Sequence, residues 1–290
     1  MTVETLTSAQ NPKVKRLIAL QKDSSLRRES GLFVVEGHRE LRQCLDAGYS
    51  IEALFVCREI AGDEPVLPKG LSQNPSGAKM TKNAPEGSVS DTFGGTPEAC
   101  KRVFEVSPEI YEKIAYRGGT EGVMAEVQAR KPELRDLKLP ENPLIVVLES
   151  VEKPGNLGAV LRSADAAGAD AVLVCNPLTD LFNPNLIRAS IGACFTVPTV
   201  ACTSSEAINW LKDKGIRILT AQLQDSSLYY DCDMRRGTAL VMGTESTGLS
   251  DEWRRAADAH IRIPMLGRLD SLNVSVSASI LLFEAVRQRQ

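Results

Sequence analysis

The feature that most limits what this chain can fold into is a series of short, unbroken apolar runs in its second half. Residues 144–149 read LIVVLE, residues 171–175 read AVLVC, and 216–221, 239–242 and 261–263 continue the series. Residues 144–149, 171–175 and 239–242 do not alternate apolar with polar, so these strands are expected to be covered on both faces, and stretches of helical spacing separate the series. The pattern predicts an α/β fold with a parallel sheet between two layers of helices. Ligands in such sheets sit beyond the carboxyl ends of the strands, and the unusual loops of this chain all fall there.

Three of those loops carry side chains suited to chemistry. The first, 149–162, reads ESVEKPGNLGAVLR, with two glycines between a buried strand and a helix expected over 158–167. Glycines at such a place let backbone approach a ligand closely. The third glycine of GxGxxG is missing, and so is the Gly-Lys-Ser/Thr of a P-loop. Arg162 stands alone among Ala, Val and Leu; it either pairs with a carboxylate such as Asp165 or faces an anionic ligand. The second loop, 241–249, reads VMGTESTGL; its Glu245 either caps the next helix or touches a ligand. The third stretch, 261–290, runs through a strand, a turn around 264–270 and a long helix. Leu272, Val276, Ile280 and Phe283 recur at helical spacing, which predicts that this face is buried. Ser271, Asn273, Ser275 and Ser277 crowd the helix start, where one capping residue suffices. Either the helix is simply over-capped or its start is a site.

The first half reads as a smaller α/β domain: helix 13–21, strand 32–36, helix 39–47, strand 53–57, then strand 103–106, helix 108–115 and strand 122–127. Residues 61–99 are rich in Gly, Pro, Ser, Thr and Asn and have no period, which predicts a long loop or insertion. Residues 131–143 are charged and hold three prolines, as a linker would. The expected organisation is therefore 1–130, a linker over 131–143, and 144–290.

Composition removes several function classes. The seven cysteines are scattered without a CxxC pair, and two histidines are too few for a His-based metal centre or triad, so no metal is expected. No apolar run approaches the ~18 residues of a membrane span. The absence of a signal peptide and the odd cysteine count point to a reducing cytoplasm. Net charge is −3, and a protein holding nucleic acid by bulk charge alone would be more basic. Charge is local instead. Residues 11–42 carry eight basic side chains against four acidic ones, among them Lys13, Arg16, Arg27 and Arg39, and about half of the eight are expected simply to solvate helix faces.

The stretches KPGNLGAVLRSADAAGA, VMGTESTGLS and IPMLGRLDSLNVSVSASILLFEAVRQR resemble the three ordered motifs of the SpoU (TrmH-type) RNA ribose methyltransferases, a branch of the knotted SPOUT methyltransferases. The likeness covers 144–290. FVVEGHRELRQCLDAG and YRGGTEGVMAEV are similar to the RNA substrate-binding domain that precedes many members and resembles a ribosomal protein. Residues 61–99 are longer than usual there, and Ser277 stands where Ala is common.

The resemblance implies a C-terminal trefoil-knotted domain, S-adenosylmethionine as methyl donor, and a homodimer. By motif position, Gly243, Ile263 and Leu272 surround the donor, largely through backbone groups, with Thr220 a further candidate. Asn156, Arg162, Glu245, Ser271 and Asn273 match catalytic positions. The implied reaction is in-line attack of a ribose 2′-hydroxyl on a sulfonium methyl, which requires orientation of both partners and loss of the hydroxyl proton. A guanidinium stays charged in proteins, so Arg162 is expected to grip the adjacent phosphate and stabilise the developing alkoxide. Ser271 and Asn273 would hold the ribose, while Asn156 and Glu245 would fix Arg162 and the loops. The extra N-terminal domain favours structured ribosomal RNA over transfer RNA, and on this reading Lys13, Arg16, Arg27 and Arg39 are expected on the phosphates of that RNA. The alternatives are a transfer-RNA 2′-O-methyltransferase and a non-catalytic RNA-binding or ribosome-assembly factor that keeps the fold. Retention of Arg162, Glu245, Ser271 and Asn273 argues against the latter, and a nucleotide-dependent oxidoreductase fails on the missing fingerprint.

Overall fold

The structure, a computed structural model, describes residues 3–62, 100, 102–116, 121–244 and 247–290. The expected long loop 61–99 lies outside them except for Ala61 and Gly62. The chain divides into two units, 1–129 and 130–290.

In the first unit the elements are β1 (Val3–Leu6), α1 (Pro12–Lys22), α2 (Ser24–Ser30), β2 (Leu32–Glu36), α3 (His38–Asp46), β3 (Ile51–Val56), α4 (Arg58–Ala61), β4 (Val103–Val106), α5 (Pro108–Ile114) and β5 (Val123–Gln128). The strands form one sheet in the order β1-β4-β3-β5-β2. β1, β4 and β3 run parallel, while β5 is antiparallel to both its neighbours. Leu17, Leu20, Phe55, Phe104 and Tyr111 fill its core. Three elements, β1, α2 and the single turn α4, have no counterpart in the sequence expectation. β1 is an edge strand that buries only Leu6, so it has no apolar run to read. α2 begins at Asp23, whose carboxylate accepts from the Ser25 and Leu26 N–H groups, and ends at Gly31 with φ +65°; it is a capped turn and a half without an apolar stripe.

The second unit continues with β6 (Leu144–Glu149), α6 (Pro154–Ala166), β7 (Ala171–Cys175), α7 (Pro184–Ser190), α8 (Ala193–Thr196), β8 (Thr199–Cys202), α9 (Ser204–Asp213), β9 (Arg217–Ala221), β10 (Ser227–Leu228), β11 (Thr238–Met242), α10 (Asp251–Ala256), β12 (Ala259–Arg262) and α11 (Val274–Arg289). Every pairing in the sheet, ordered β10-β12-β9-β11-β6-β7-β8, is parallel. One core lies on each face. Leu148, Leu157, Leu161, Leu240 and Leu281 belong to the first, and Ile145, Leu173, Ile218, Val241 and Trp253 to the second. Leu134, Leu137 and Leu139, within the stretch read as a linker, pack on that second core. The step from β11 to β12 passes over β9.

Two expectations need correction. α6 starts a turn earlier than 158, because Pro154 occupies its first turn with φ already set for helix. Gly155 and Asn156 are therefore helical, not part of a turn before the helix. The C-terminal helix buries Val274, Ala278, Leu281, Leu282 and Ala285, and leaves Leu272, Val276 and Phe283 exposed. Its buried face is the one built of Ala and Leu, which fits closely against α6.

Candidate active site

β12, β9, β11 and β6 are neighbours in the sheet and point the same way, so the loops that leave them open on one side. Asn156 in the first turn of α6 and Asn273 at the start of α11 meet there. Asn273 Nδ2 donates to Asn156 Oδ1 at 3.2 Å, and seven residues further along α6, Ser163 Oγ lies 2.8 Å from Ser279 Oγ. The two helices thus run side by side in the same direction. Asn273 also caps its own helix, accepting from the Ser275 N–H at 2.9 Å and from Ser275 Oγ at 2.6 Å. The clustered polar residues at this helix start are thereby divided: Oδ1 of Asn273 holds α11, and Nδ2 holds α6.

A cleft of about 130 Å³ lies at this junction, lined by Val151, Lys153, Asn156, Gly243, Thr244 and Val274. All three sequence stretches contribute to it. Gly243 cannot carry a side chain: a Cβ there would lie 2.2 Å from the Gly248 carbonyl oxygen. The loop after β11 folds back on Gly243 through paired hydrogen bonds between Thr244 and Gly248. Glu245, the catalytic candidate in this loop, lies outside the described residues.

A second, larger cleft of about 430 Å³ is bounded by Leu223, Leu228, Arg262, Ile263, Met265 and Leu269. Of the expected donor contacts, Ile263 lines this cleft and Gly243 the other. Ser271 and Leu272 are exposed in the loop that enters α11. Thr220 lines neither cleft; it is fully buried in β9, and its hydroxyl lies 2.6 Å from His260 Nδ1. Arg162 is exposed on α6 and has no hydrogen-bond or ion-pair partner among the described residues. Asp165, the carboxylate considered as its partner, accepts instead from Thr196 Oγ1 at 2.9 Å.

One functional candidate was passed over in the sequence. Glu149 ends β6 and is 5% exposed. Its Oε1 accepts from Ser204 Oγ at 3.0 Å and its Oε2 from the Ser250 N–H at 2.8 Å. A lone acid closing an otherwise apolar strand was the available signal.

In the first unit, three of the four basic residues expected on phosphates are used by the fold. Arg27 is buried and donates to the carbonyls of Leu20 and Gln21. Arg16 pairs bidentately with the buried Glu126 carboxylate. Lys13 bridges to Glu4 and sits 4.4 Å above the Phe104 ring. Arg39 alone keeps a largely free side chain, 63% exposed and 3.8 Å from Glu40.

Comparison with known proteins places both units in a family. The SpoU rRNA Methylase family profile matches residues 143–283, and the MRM3-like substrate binding domain profile matches 11–125. The 23S rRNA (guanosine-2′-O-)-methyltransferase RlmB of Bordetella pertussis is 36% identical over 197 residues, which are 66% of this chain and 80% of that protein. The chain belongs to the SpoU rRNA methylase family. A second relative, the 23S rRNA (uridine(2479)-2′-O)-methyltransferase of Streptomyces viridochromogenes, is 34% identical over 58% of this chain and 60% of its own length. Among solved structures, the AdoMet-bound rRNA methyltransferase from Sinorhizobium meliloti superposes with a TM-score of 0.81 at 31% identity, covering 98% of both chains. This SpoU chain therefore shares its architecture from end to end with a protein that holds a methyl donor. Its own residues suit such a donor. The larger cleft has mixed walls, with Leu223, Leu228 and Met265 beside the charged Arg262, Arg268 and Asp270, and a volume in the range of small-molecule sites. Among the described residues no cluster of His, Cys, Asp and Glu could hold a metal ion, and no helix is long and apolar enough to cross a membrane.

Proposed function

We propose that this chain methylates a ribose 2′-hydroxyl of ribosomal RNA, using S-adenosylmethionine. The observation that carries the reading is the Asn273–Asn156 hydrogen bond beside Gly243, which brings three distant stretches of sequence to one cleft. S-adenosylmethionine, when bound, supplies a methyl group on a positively charged sulfur. The residues of the chain do the rest. Gly243, Ile263 and Leu272 offer backbone groups at the ends of β11 and β12 for the donor. Asn273 and Ser271 orient the ribose so that its oxygen lies in line with the methyl carbon. Arg162, exposed and without a described partner, holds the phosphate next to that ribose and stabilises the charge that grows on the attacking oxygen.

The same reading makes the protein a homodimer. Leu266, Leu269, Leu272, Val276 and Phe283 are exposed by 97, 79, 40, 46 and 49% along the α11 loop and the outer face of that helix. Large apolar side chains exposed together on one loop and the helix it enters suggest an interaction site, and a second copy of the chain is the partner that would cover them. The first unit carries the RNA to the site, with Arg39 on a phosphate, and the enzyme acts in the cytoplasm, where ribosomal RNA is assembled.

The test is incubation of the full chain with radiolabelled S-adenosylmethionine and deproteinised ribosomal RNA, followed by mapping of alkali-resistant riboses. Label at a single 2′-oxygen is expected. Arg162→Ala should remove it while leaving thermal unfolding unchanged, since the side chain supports nothing in the fold. No incorporation into any ribosomal RNA, or an Arg162→Ala protein of full activity, defeats the proposal.

A further inference from the structure

Glu149 lies outside the two clefts, yet its carboxylate joins parts of the chain that form them. Ser204 Oγ donates to Glu149 Oε1 and accepts from Asn176 Nδ2 and Trp253 Nε1, both at 2.9 Å. A serine hydroxyl has one hydrogen and two lone pairs, so its bonding is complete, and the acid is the only group able to take its proton. The other oxygen of Glu149 accepts the Ser250 N–H, at the exit of the loop that begins at Gly243. Glu149 thus links the strand leading into the Asn156 helix to the loop carrying Gly243.

The backbone around this link is under strain. Ser150 and Asn176, each following one of the adjacent strands β6 and β7, have φ of +53° and +49°, a region that non-glycine residues seldom occupy. Such conformations persist where the surroundings over-determine them. Here the Ser150 N–H donates to the Cys175 carbonyl and the Asn176 N–H to the Cys202 carbonyl, both at 2.9 Å. Asn176 Oδ1 also accepts the Ser204 N–H. At the loop, the Gly248 carbonyl abuts the place a Gly243 side chain would occupy. A shift of residues 248–250 would therefore press directly on Gly243.

We infer that Glu149 is a positioning residue for the methyl donor: it fixes the exit of the 243–250 loop so that the Gly243 backbone keeps its place in the cleft. The inference rests on the reading of this site as one for S-adenosylmethionine. Two variants test it in the full chain by calorimetric titration with that donor. Glu149→Gln puts an amide N–H₂ against one of two donors. Ser250→Pro removes the N–H at a residue whose φ of −66° already matches proline. Each is expected to raise the donor Kd about tenfold at unchanged stoichiometry, because loss of the charge-assisted bond leaves only about a tenth of the molecules with residues 248–250 in place. Ser250→Ala, whose hydroxyl makes no capping bond, should keep the wild-type Kd. A merely structural role would lower the stoichiometry and leave Kd alone. Unchanged Kd in Ser250→Pro overturns the inference even if Glu149→Gln fails to fold. A wild-type chain that binds no donor overturns the proposed function, and this inference with it.

Discussion

Asn273 has two jobs in the structure, and substitution can separate them. Its Oδ1 caps α11 and its Nδ2 reaches Asn156 across to α6. Asn273→Ser would keep the cap, because serine ranks with asparagine at that position, but the serine side chain is too short to reach Asn156. Asn273→Ala keeps neither. The exposed bond between the two amides is worth about 0.5–1 kcal/mol, and loss of the cap adds about 1 kcal/mol. Asn273→Ser should then cost about 0.5–1 kcal/mol and Asn273→Ala about 1.5–2 kcal/mol. For a unit of this size each kcal/mol lowers Tm by about 2–4 °C. The serine variant should thus melt about 1–4 °C below wild type and the alanine variant about 3–8 °C below.

Activity should follow a different order. Both variants lose the amide that orients the ribose, so both should transfer methyl groups about a hundredfold more slowly, the usual effect of misplacing a reactant by an ångström. Circular-dichroism melting and initial rates of label transfer to ribosomal RNA measure the two quantities independently. Activity that tracks stability, with Asn273→Ser close to wild type, would show that Asn273 is only a helix cap and refute the reasoning.

Four further outcomes follow from particular residues. Arg16→Met leaves Glu126 buried without its cation; such losses cost about 3–5 kcal/mol, reduced here to about 2–3 because Arg16 is 41% exposed. Burial holds Glu126 above its ordinary 4.5, with Arg16 opposing the rise. An acid raised in the folded state favours folding at low pH and loses that advantage as pH rises from 4.5 through the folded value. Urea titrations should therefore give a larger deficit at pH ~8 than at pH ~5, and an equal deficit at both would count against the account. Arg27→Ala should destabilise the first unit by about 2 kcal/mol through the freed Leu20 and Gln21 carbonyls, whereas Arg39→Ala should weaken RNA binding in gel-shift titrations and leave urea unfolding untouched. In Gly158→Ala the new methyl would lie 2.6 Å from Ala189 Cβ and 2.9 Å from both the Leu186 carbonyl oxygen and the Ser190 nitrogen. The gain in helix propensity, about 1 kcal/mol, is outweighed by overpacking of about 1–3 kcal/mol, so thermal melting should fall by several degrees; a rise would refute the close approach of α7 to α6.

The parallel sheet of the second unit was legible because its central strands β6, β7 and β11 are buried along their whole length and are almost entirely apolar. Position along the sequence could also indicate that the loops after β6, β11 and β12 share one side, since parallel strands put their carboxyl ends together. Which side chains meet there was not legible. Asn156 finds Asn273 only because α6 and α11 run in register, and nothing local in either segment encodes that register. Thr220 illustrates the converse. It sits at a plausible strand end, yet the hydroxyl is taken by His260, a partner forty residues away. In the first unit the basic residues between 11 and 42 looked alike in sequence, and only tertiary contacts separate the structural Arg16 and Arg27 from the open Arg39.

α11 is the most telling case, because its period was readable and its buried face was not. Leu272, Val276, Ile280 and Phe283 form one apolar row, while Val274, Ala278, Leu281, Leu282 and Ala285 form another, so the helix is apolar nearly all round. Periodicity cannot choose between two such faces. Size can: the alanines allow close approach to α6, where Ser163 and Ser279 sit 2.8 Å apart, and a row of Val, Ile and Phe would hold the helices further apart and break the Asn156–Asn273 bond. The small face must therefore turn inward for the site to form, which leaves the bulky face outside. A helix apolar all round is ordinarily buried all round, so the same packing that builds the cleft also leaves a surface for the second copy proposed above.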